Sequence, residues 1–383
     1  MRKVLTTLSL AVLMLVVIGL VSVTSSSSVR SLARYGSAYH FMYRQAISCA
    51  LGMICCFGAA HIDYHIWRRR EWQIALLSVA LLSLILVLIP GIGEMVNGSR
   101  RWIRLPGIPF QVQPSEFVKI ATVLLTAAWM DMIGWRSKRF VKGFFIPVMV
   151  LGVFVLLLMR EPDFGATFVT GILAFSIFFA AGVRLVYLIG SAFAAGLGFA
   201  VLILRDPVRS ARMFAWSSGP DGGGNAAYQV KQSILAFVNG GVSGVGLNNS
   251  IQKHFYLPEA HTDFIFAIVG EEFGMVGTMA VVLLFVVILI CGIWIAFKSP
   301  DRLGRLIAFG LTLMLVFQAA FNVGVVIGAL PTKGLALPFI SYGGTNMLTA
   351  LISIGILINI GRHIEEVEYD AHAQMVRNAA KRI

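Results

Sequence analysis

The run FIFAIVGEEFGMVGTMAVVLLFVVILICGIWIAF, residues 264 to 297, contains only two charged residues, Glu271 and Glu272. A helix needs about 20 apolar residues to cross a bilayer, so this run is long enough to span it with tilt or to extend beyond it. Backbone groups inside the hydrocarbon must be paired within the segment, and a long unbroken apolar run selects a helix for that purpose. The run predicts a membrane-spanning α-helix.

Nine further apolar segments of similar character surround it. Hydrophobic residues make up 58% of the 383 residues and charged residues 13%, whereas about a quarter of a soluble domain is charged. This composition excludes a soluble multidomain protein and predicts an all-α integral membrane protein with about ten transmembrane helices. The nine segments lie near residues 4–23, 43–60, 73–90, 114–133, 144–159, 165–182, 185–204, 306–329 and 344–361.

The distribution of Lys and Arg sets the orientation. An even number of spans places both termini on one side, and cytoplasmic loops carry an excess of Lys and Arg. With cytoplasmic termini, 17 of these residues lie inside, eight lie in short outer loops and five lie in the segment 205–262. We therefore expect a membrane domain over 1–361, with a large extracytoplasmic loop (205–262) between helices 7 and 8, and a cytoplasmic tail over 362–383.

The first segment and the four cysteines do not change this interpretation. Residues 4–23 follow two basic residues, as in a signal peptide, but Ser22 to Ser28 offer no A-x-A cleavage site, so we expect an uncleaved span. The cysteines all lie in apolar runs, where cysteine behaves as a small hydrophobic residue. We expect neither a disulfide nor a metal site from Cys49, Cys55, Cys56 and Cys291.

Asp263 stands at the outer mouth of the helix predicted over residues 264–297, with Glu259 four residues before it. An ionisable residue at a membrane boundary usually has a task or a partner. Asp263 is a candidate catalytic residue, and the alternative is that Asp263 or Thr262 caps the helix. Glu271 and Glu272 lie about 12 Å deeper, so we expect them to bond backbone or hydroxyl groups of neighbouring helices.

Lys119 is the only Lys or Arg that we place inside a span, close to the outer end of helix 4. A cation there needs a counter-charge. Glu116 is available three residues earlier, but we prefer an ion pair between Lys119 and Asp163, which lies in the outer turn between helices 5 and 6. The alternative is that Asp163 only caps helix 6.

The outer loops hold further candidates for substrate contact. Arg100, Arg101 and Arg104 flank Trp102, and guanidinium groups bind phosphate oxygens bidentately, so a lipid pyrophosphate is a fitting ligand; ordinary anionic headgroups are the alternative. Lys333 shares that face with Ser341, Tyr342 and Thr345, and these last three residues are candidates to hydrogen-bond a sugar. The glycine-rich stretch NGGVSGVG, residues 239–246, is suited to cradling phosphates, but a flexible loop is the simpler expectation.

Five separated motifs carry a family resemblance. GSRRW (98–102), QPSEFVKIA (113–121), EPDFGAT (161–167), GLNNSIQKHFYLPEAHTDFIFAIVGEE (246–272) and LPTKGLALPFISYGG (330–344) stand in this order. Together they resemble the shape, elongation, division and sporulation (SEDS) family, and the match runs from the first helix to the last. LPTKG and PEAHTDFIFAIVGEE are more similar to the division branch than to the rod-elongation branch.

The resemblance implies a peptidoglycan glycosyltransferase that polymerises lipid II on the outer face of the cytoplasmic (inner) membrane, at the division septum. It implies a class B penicillin-binding transpeptidase and other division-complex membrane proteins as partners, alongside membrane lipids and without nucleic acid. Asp263 matches the family's essential aspartate, and Lys119 and Asp163 match further family positions. Two positions depart from the pattern: Phe255 stands where relatives often have an acid, and Glu161 stands in place of the usual Gln.

These expectations assign roles to particular residues. Asp263 would act as the base, and the leaving pyrophosphate would be stabilised by cations or by a divalent metal ion, Mg or Mn, whose ligands the sequence does not indicate. A lipid II flippase and a non-catalytic scaffold for a transpeptidase are the alternatives; the clustering of Lys119, Asp163 and Asp263 toward the outer leaflet favours the enzyme. The residues expected to bind substrate are Arg100, Arg101, Lys119, Glu259, Lys333 and Ser341.

Overall fold

A computed structural model describes residues 1–96, 99–104, 111–205, 210, 216 and 224–380. Within this part the chain forms eleven α-helices and one short β-hairpin. The helices are α1 Arg2–Tyr35, α2 His40–His61, α3 Arg70–Leu88, α4 Pro114–Ile133, α5 Ile146–Arg160, α6 Phe164–Ala180, α7 Leu185–Arg205, α8 Gly224–Gly240, α9 Ile265–Lys298, α10 Arg302–Val326 and α11 Gly344–Ala380. The strands are β1 Gly93–Val96 and β2 Ser99–Ile103, which pair antiparallel.

The ten predicted spans are confirmed as helices. Eight helices are long and apolar enough to cross a membrane, and two shorter apolar helices occupy Phe164–Ala180 and Leu185–Gly198. The eleventh helix, α8, lies inside the segment expected as the large outer loop. The division into a membrane domain and a cytoplasmic tail stays a prediction, and α11 runs across that boundary as one helix to Ala380.

Close helix packing supplies cohesion where lipid offers no hydrophobic driving force, and small residues permit that approach. α2 packs along α11, and α9 packs against α1 and α10. At the α2–α11 contact a Cβ added to Gly355 would lie 2.3 Å from the carbonyl oxygen of Cys56. Any larger residue at Gly355 would force the two backbones apart.

Helix α9 is broken at Gly274, whose φ of 65° and ψ of −160° lie outside the helical region. A break leaves carbonyls before it and N–H groups after it without intrahelical partners, and inside a membrane other protein groups must supply them. The stretch 239–246 does so. Val245 and Gly246 donate to the carbonyls of Glu271 and Glu272, and Met275 and Val276 donate to the carbonyls of Gly241 and Val242.

The expectation of a flexible loop at 239–246 is therefore wrong. The glycines are there because backbone meets backbone: a Cβ on Gly244 would lie 2.2 Å from the Glu272 oxygen, and one on Gly274 would lie 2.4 Å from the Gly244 nitrogen. The stretch completes the broken helix and fixes the first half of α9. Asp263 lies two residues before that half.

The connections divide the bundle into two ends. α4, α6, α9 and α11 begin, and α5 and α10 end, at the end assigned to the outer face. At the opposite end Arg68 pairs with Asp131 at 2.9 Å and with Asp301 at 2.7 Å, and the Tyr64 hydroxyl donates to Asp301 at 2.7 Å. These bonds tie the α2–α3 connection to α4 and to the start of α10.

Candidate active site

The loop between α10 and α11, residues 327–343, is bonded directly to the residues before α9. The buried Ser341 hydroxyl donates to the Thr262 carbonyl at 2.6 Å and accepts from the Leu337 N–H at 2.7 Å. The Tyr342 N–H donates to the His261 carbonyl at 3.0 Å. Because the Ser341 hydroxyl is buried and already bonded on both sides, its geometry argues against sugar binding and gives it a positioning role instead.

Asp263 lies where these two segments meet. Its carbonyl accepts from the Asn322 side chain at 2.8 Å, and the same amide group donates to the Leu335 carbonyl at 2.6 Å. The carboxylate lies against Gly334, where an added Cβ would stand 2.9 Å from Oδ2. Both the backbone and the side chain of Asp263 are thus located by α10 and its following loop.

The helix-cap alternative for Asp263 does not describe this geometry. α9 begins at Ile265 with Phe264 as its N-cap residue and has no side-chain capping bond. The Thr262 hydroxyl donates to the Glu259 carboxylate at 3.0 Å. Asp263 is half-buried at the outer end of the bundle, and its carboxylate is not used to satisfy the first turn of α9.

Lys119 does not pair with Asp163, and that prediction is wrong. The ammonium, with 1% of its side chain exposed, contacts Glu116 Oε1 at 2.7 Å and Gln318 Oε1 at 2.7 Å. Helical spacing brings Glu116 within reach three residues earlier, and Gln318 of α10 supplies the second acceptor. Buried and bonded in this way, Lys119 is placed to hold α4 against α10, and direct substrate binding does not fit its geometry.

Asp163 caps α6, which was the alternative role considered for it. Its Oδ1 accepts from the Ala166 N–H at 3.1 Å, which caps α6. Its Oδ2 accepts from Gln113 at 3.1 Å and from the Ser115 hydroxyl at 3.1 Å. The polar groups at the start of α4, and not its lysine, satisfy this carboxylate.

Thr345, at the start of α11, extends the same set of contacts. Its hydroxyl oxygen accepts from the Gln113 N–H at 3.0 Å and donates to the Gln111 carbonyl at 3.2 Å. The starts of α4, α6 and α11 are therefore joined through Gln113. These bonds bring the second and third sequence motifs into direct contact and join them to Thr345, directly after the fifth motif.

The two arginines of the hairpin differ in their surroundings. Arg101 donates from Nε to the Glu161 carbonyl at 3.2 Å and from Nη2 to the Pro162 carbonyl at 2.5 Å, so it holds the α5–α6 turn. Arg100, half-buried on the same strand, has no side-chain hydrogen bond or ion pair with the described residues. A phosphate role for Arg100 stays a prediction, and Arg101 already uses part of its guanidinium on the protein.

Glu161 is fully buried, and neither carboxylate oxygen has a hydrogen-bond partner among the described residues. Burial, and then the nearby charge of Asp163, raise its pKa to about 9, against a smaller opposing effect of Arg101. The group is accordingly a neutral acid near pH 7. Its hydrogen-bonding character then approaches that of the Gln that the family resemblance leads us to expect at this position.

Lys333 directly precedes Gly334, and Glu259 lies four residues before Asp263. The Lys333 ammonium lies 4.7 Å from the ring centre of Phe168 and 5.6 Å from that of Phe321, and burial lowers its pKa. Glu259 adopts a left-handed φ of 55°, and its carbonyl accepts from the Phe264 N–H at 3.2 Å. The substrate-binding roles of both residues stay predictions.

His261 packs in this wall as an uncharged group. Its ring lies 5.0 Å from Phe41 and 5.8 Å from Tyr342, measured between ring centres. Burial, followed by the charge of Arg30, lowers its pKa to about 4. At neutral pH it therefore adds aromatic packing and no positive charge beside Asp263.

The two glutamates of α9 have the structural role that we expected. Glu271 accepts from the Ser250 hydroxyl and from the N–H groups of Ile251 and Gln252, both at 3.2 Å. Glu272 accepts from the Ser25 hydroxyl of α1 at 2.5 Å and pairs with buried Lys253 at 3.4 Å. Lys253 was predicted only as one of the basic residues of the outer loop, and the structure shows it as a buried cation.

Gln318 and Asn322 are positioning residues that were not predicted from the sequence. Gln318 donates to the Ala336 carbonyl at 2.9 Å and to Asn346 at 3.1 Å, in addition to its bond with Lys119, and Asn322 holds Asp263. The sequence contains a signal for them: two carboxamides four residues apart inside an apolar helix lie on one face. Such polar groups inside a span face the protein and need partners.

The described residues do not form a metal site by themselves. No group of three or more His, Cys, Asp or Glu residues in the described ranges is arranged to hold a metal ion. Mg²⁺ commonly uses one or two carboxylates together with substrate phosphates. Asp263 and pyrophosphate oxygens are a donor set of that kind, so the dependence on Mg or Mn stays a prediction.

A multi-pass helical membrane protein with a buried polar network at one end, supporting a single half-buried aspartate, is the class that the fold and site define. The sequence profile of the cell cycle protein family FtsW/RodA/SpoVE matches residues 6–366. The chain belongs to this family.

Individual relatives agree with this membership. The probable peptidoglycan glycosyltransferase FtsW of Geobacter sp. (strain M18) is 38% identical over 353 residues, covering 91% of this chain and 95% of the relative. A chain of a peptidoglycan synthase complex, solved to show its coordination of polymerization and crosslinking, matches with a TM-score of 0.74 at 25% identity, covering 93% of this chain and 97% of that one. Thermus thermophilus RodA matches with a TM-score of 0.67 at 26% identity, covering 93% and 95%.

Proposed function

We propose that this protein is a peptidoglycan glycosyltransferase that polymerises lipid II on the outer face of the cytoplasmic membrane. The observation that carries the proposal is the placement of Asp263. Its backbone is held by Asn322 at 2.8 Å, its carboxylate lies against Gly334, and it does not cap α9. A half-buried carboxylate that packs against Gly334 on a hydrogen-bonded backbone is suited to act as a general base.

The proposed reaction forms a glycosidic bond and breaks a bond to pyrophosphate. The 4-hydroxyl of a lipid II sugar attacks the anomeric carbon of the growing glycan, and its proton passes to Asp263. The bond from that carbon to the undecaprenyl pyrophosphate breaks, with inversion from α to β. Cations that face the leaving group stabilise its developing charge.

The contacts separate the candidate cations by role. Lys119 is bonded to Glu116 and Gln318, and Arg101 is bonded to the α5–α6 turn, so both position the wall of the site. Arg100, half-buried and not bonded to the described residues, is the outer cation that we assign to the pyrophosphate, with Mg or Mn as a further source of positive charge. The buried cations Lys119 and Lys253 are paired with Glu116 and Glu272 within the protein, which supports an enzyme over a flippase.

We further propose that the protein works at the division septum with a class B penicillin-binding transpeptidase and other division-complex membrane proteins. Two comparisons support this assignment: relatives carry the name FtsW, and a similar chain is part of a complex that coordinates polymerization and crosslinking. Glycan strands must be crosslinked after they are made, so a transpeptidase is the partner that the proposed product requires.

The deciding experiment is lipid II polymerisation by the purified protein with its cognate transpeptidase. Asp263→Asn should abolish polymer formation, because the amide cannot accept the proton, while the transpeptidase still co-purifies. Glu71→Gln is the matched control, since it changes an exposed acid at the opposite end of the bundle, in the first turn of α3, and should retain polymerisation. Polymer at the wild-type level from Asp263→Asn would reject the catalytic assignment and leave a scaffold as the better account.

A further inference from the structure

A basic cleft lies at the opposite end of the bundle from Asp263, on the side that the charge distribution assigns to the cytoplasm. It encloses about 460 Å³, within the range of about 300 to 1,000 Å³ for small-molecule sites. It forms where the connection after α4 meets the turn between α6 and α7. Its lining residues are Trp135, Lys138, Arg139, Phe140, Arg184 and Tyr187.

The cleft gathers positive charge without any acidic lining residue. The side chains of Lys138, Arg139 and Arg184 have no hydrogen bond or ion pair with the described part of the chain, and all three are exposed. Two other arginines at this end are bonded within the protein: Arg68 pairs with two aspartates, and Arg302 donates to the Ala181 carbonyl at 2.7 Å. The charge of the cleft is therefore left for an external anion.

The helix ends around the cleft also favour binding of an anion. A π-helical turn, Phe140–Phe145, leads into α5, and neither it nor α5 nor α7 has an acidic residue in its first turn. By contrast, α3 has Glu71 in its first turn and α10 is capped by Asp301. Helix N-termini carry partial positive charge, so two such ends add to the side-chain cations at the cleft.

The cleft also opens onto an apolar surface. Val141 and Val186 beside it are 56% and 76% exposed, and Ile189 one turn along α7 is 66% exposed. The Trp135 ring, 70% exposed, lies 5.2 Å from the Arg139 guanidinium, and Trp is enriched where membrane meets water. A ligand with a phosphate at the cleft would have acyl chains alongside these side chains.

We propose that the basic cleft binds the headgroup of an anionic phospholipid from the cytoplasmic leaflet, with its acyl chains along the outer faces of α5 and α7. Basic pockets between transmembrane helices on the cytoplasmic side bind such headgroups. This site is separate from the lipid II site and rests only on the cleft's charge, shape and apolar border. It would couple the α4–α5 and α6–α7 connections to the lipid composition of the membrane.

Native mass spectrometry of detergent-purified protein titrated with phosphatidylglycerol tests the proposal. The double variant Arg139→Gln, Arg184→Gln should bind phosphatidylglycerol about 25-fold more weakly, since each cation near an anionic surface contributes roughly a factor of five. The matched control Lys298→Gln, Arg305→Gln removes the same charge from exposed positions at the same end, outside the cleft, and should change binding less than about twofold. Phosphatidylcholine should bind all three proteins equally weakly.

Three results would overturn the proposal. One is equal loss of phosphatidylglycerol in the cleft and control variants, which would mean that only general charge matters. Another is displacement of the lipid by equimolar inorganic phosphate, which would make the cleft a site for free anions. The third comes from melting temperatures in nanodiscs, measured with phosphatidylcholine alone and with equal parts of phosphatidylglycerol and phosphatidylcholine. If phosphatidylglycerol raises the melting temperature of the cleft variant as much as that of the wild type, the cleft binds no specific lipid.

Discussion

Replacing Lys119 with methionine tests the buried network that supports Asp263. Methionine keeps most of the apolar stem but removes the ammonium that contacts Glu116 at 2.7 Å and Gln318 at 2.7 Å. Glu116 is 7% exposed, so the substitution leaves a buried carboxylate without its cation. Breaking a buried pair in this way typically costs about 3 to 5 kcal/mol.

A double-mutant cycle separates the two candidate partners of Lys119. Adding Glu116→Gln to Lys119→Met removes the stranded charge and should recover most of the loss, which gives a coupling free energy of roughly 2 to 3 kcal/mol. Adding Asp163→Asn should give coupling of less than about 0.5 kcal/mol, because Asp163 bonds Gln113, Ser115 and the Ala166 N–H instead.

The measurement is the free energy of unfolding by sodium dodecyl sulfate in mixed micelles, followed by circular dichroism, for each single and double variant. The polymerisation assay on the same preparations shows whether lost activity follows lost stability. Coupling of Lys119 to Asp163 larger than its coupling to Glu116 would refute the network described above. So would a cost for Lys119→Met of less than about 1 kcal/mol.

Three further substitutions test separate features. Gly334→Ala should lower polymerisation with little change in stability, because its Cβ would lie 2.9 Å from Asp263 Oδ2 and displace the carboxylate. Gly274→Ala should cost more than about 3 kcal/mol in unfolding free energy, since strained φ and backbone contact combine, whereas Gly152→Ala, with open space at its Cβ, should not. Glu161→Gln should reduce the pH dependence of stability: the pKa of Glu161 rises from 4.5 to about 9 on folding, so the wild type loses stability as pH rises through that window.

Each of these predictions has a result that contradicts it. Gly334→Ala with wild-type turnover would mean that the Asp263 carboxylate does not depend on this contact. Equal unfolding free energies for Gly274→Ala and Gly152→Ala would remove the structural reason for the helix break. Glu161→Gln with the same decline in melting temperature between pH 5 and 9 as the wild type would show that Glu161 does not hold its proton in the folded state.

The helices could be predicted because membrane spans depend on a one-dimensional property. Apolar length marked all ten positions. The predicted fourth span, 114–133, coincides with α4. Pro114 marks its start, because proline suits the first turn of a helix. The break in α9 could not be predicted in this way. The apolar run continues on both sides of Glu271, Glu272 and Gly274, while the break depends on backbone contact with a stretch about 30 residues earlier.

The partner of Lys119 shows where the prediction of the site ended. The sequence offered Glu116 and Asp163 at similar depth, and the choice depends on how α4, α6 and α10 are rotated against one another. Gln318, which contacts Lys119 from α10, decides that choice and does not appear in any motif that suggested the family. A single sequence contains the polar residues of such a network but not the helix packing that pairs them.

Many polar side chains surround Asp263 although burying polar groups is costly, so their presence needs a functional reason. In lipid an unpaired polar group is expensive, and an apolar residue at Lys119, Gln318 or Asn322 would avoid that cost. Their bonds converge on the α10–α11 loop and on the Asp263 backbone, through the carbonyls of Ala336, Leu335 and Asp263. General-base catalysis needs its carboxylate held within hydrogen-bond reach of one proton, so the network is best understood as the support that fixes that position.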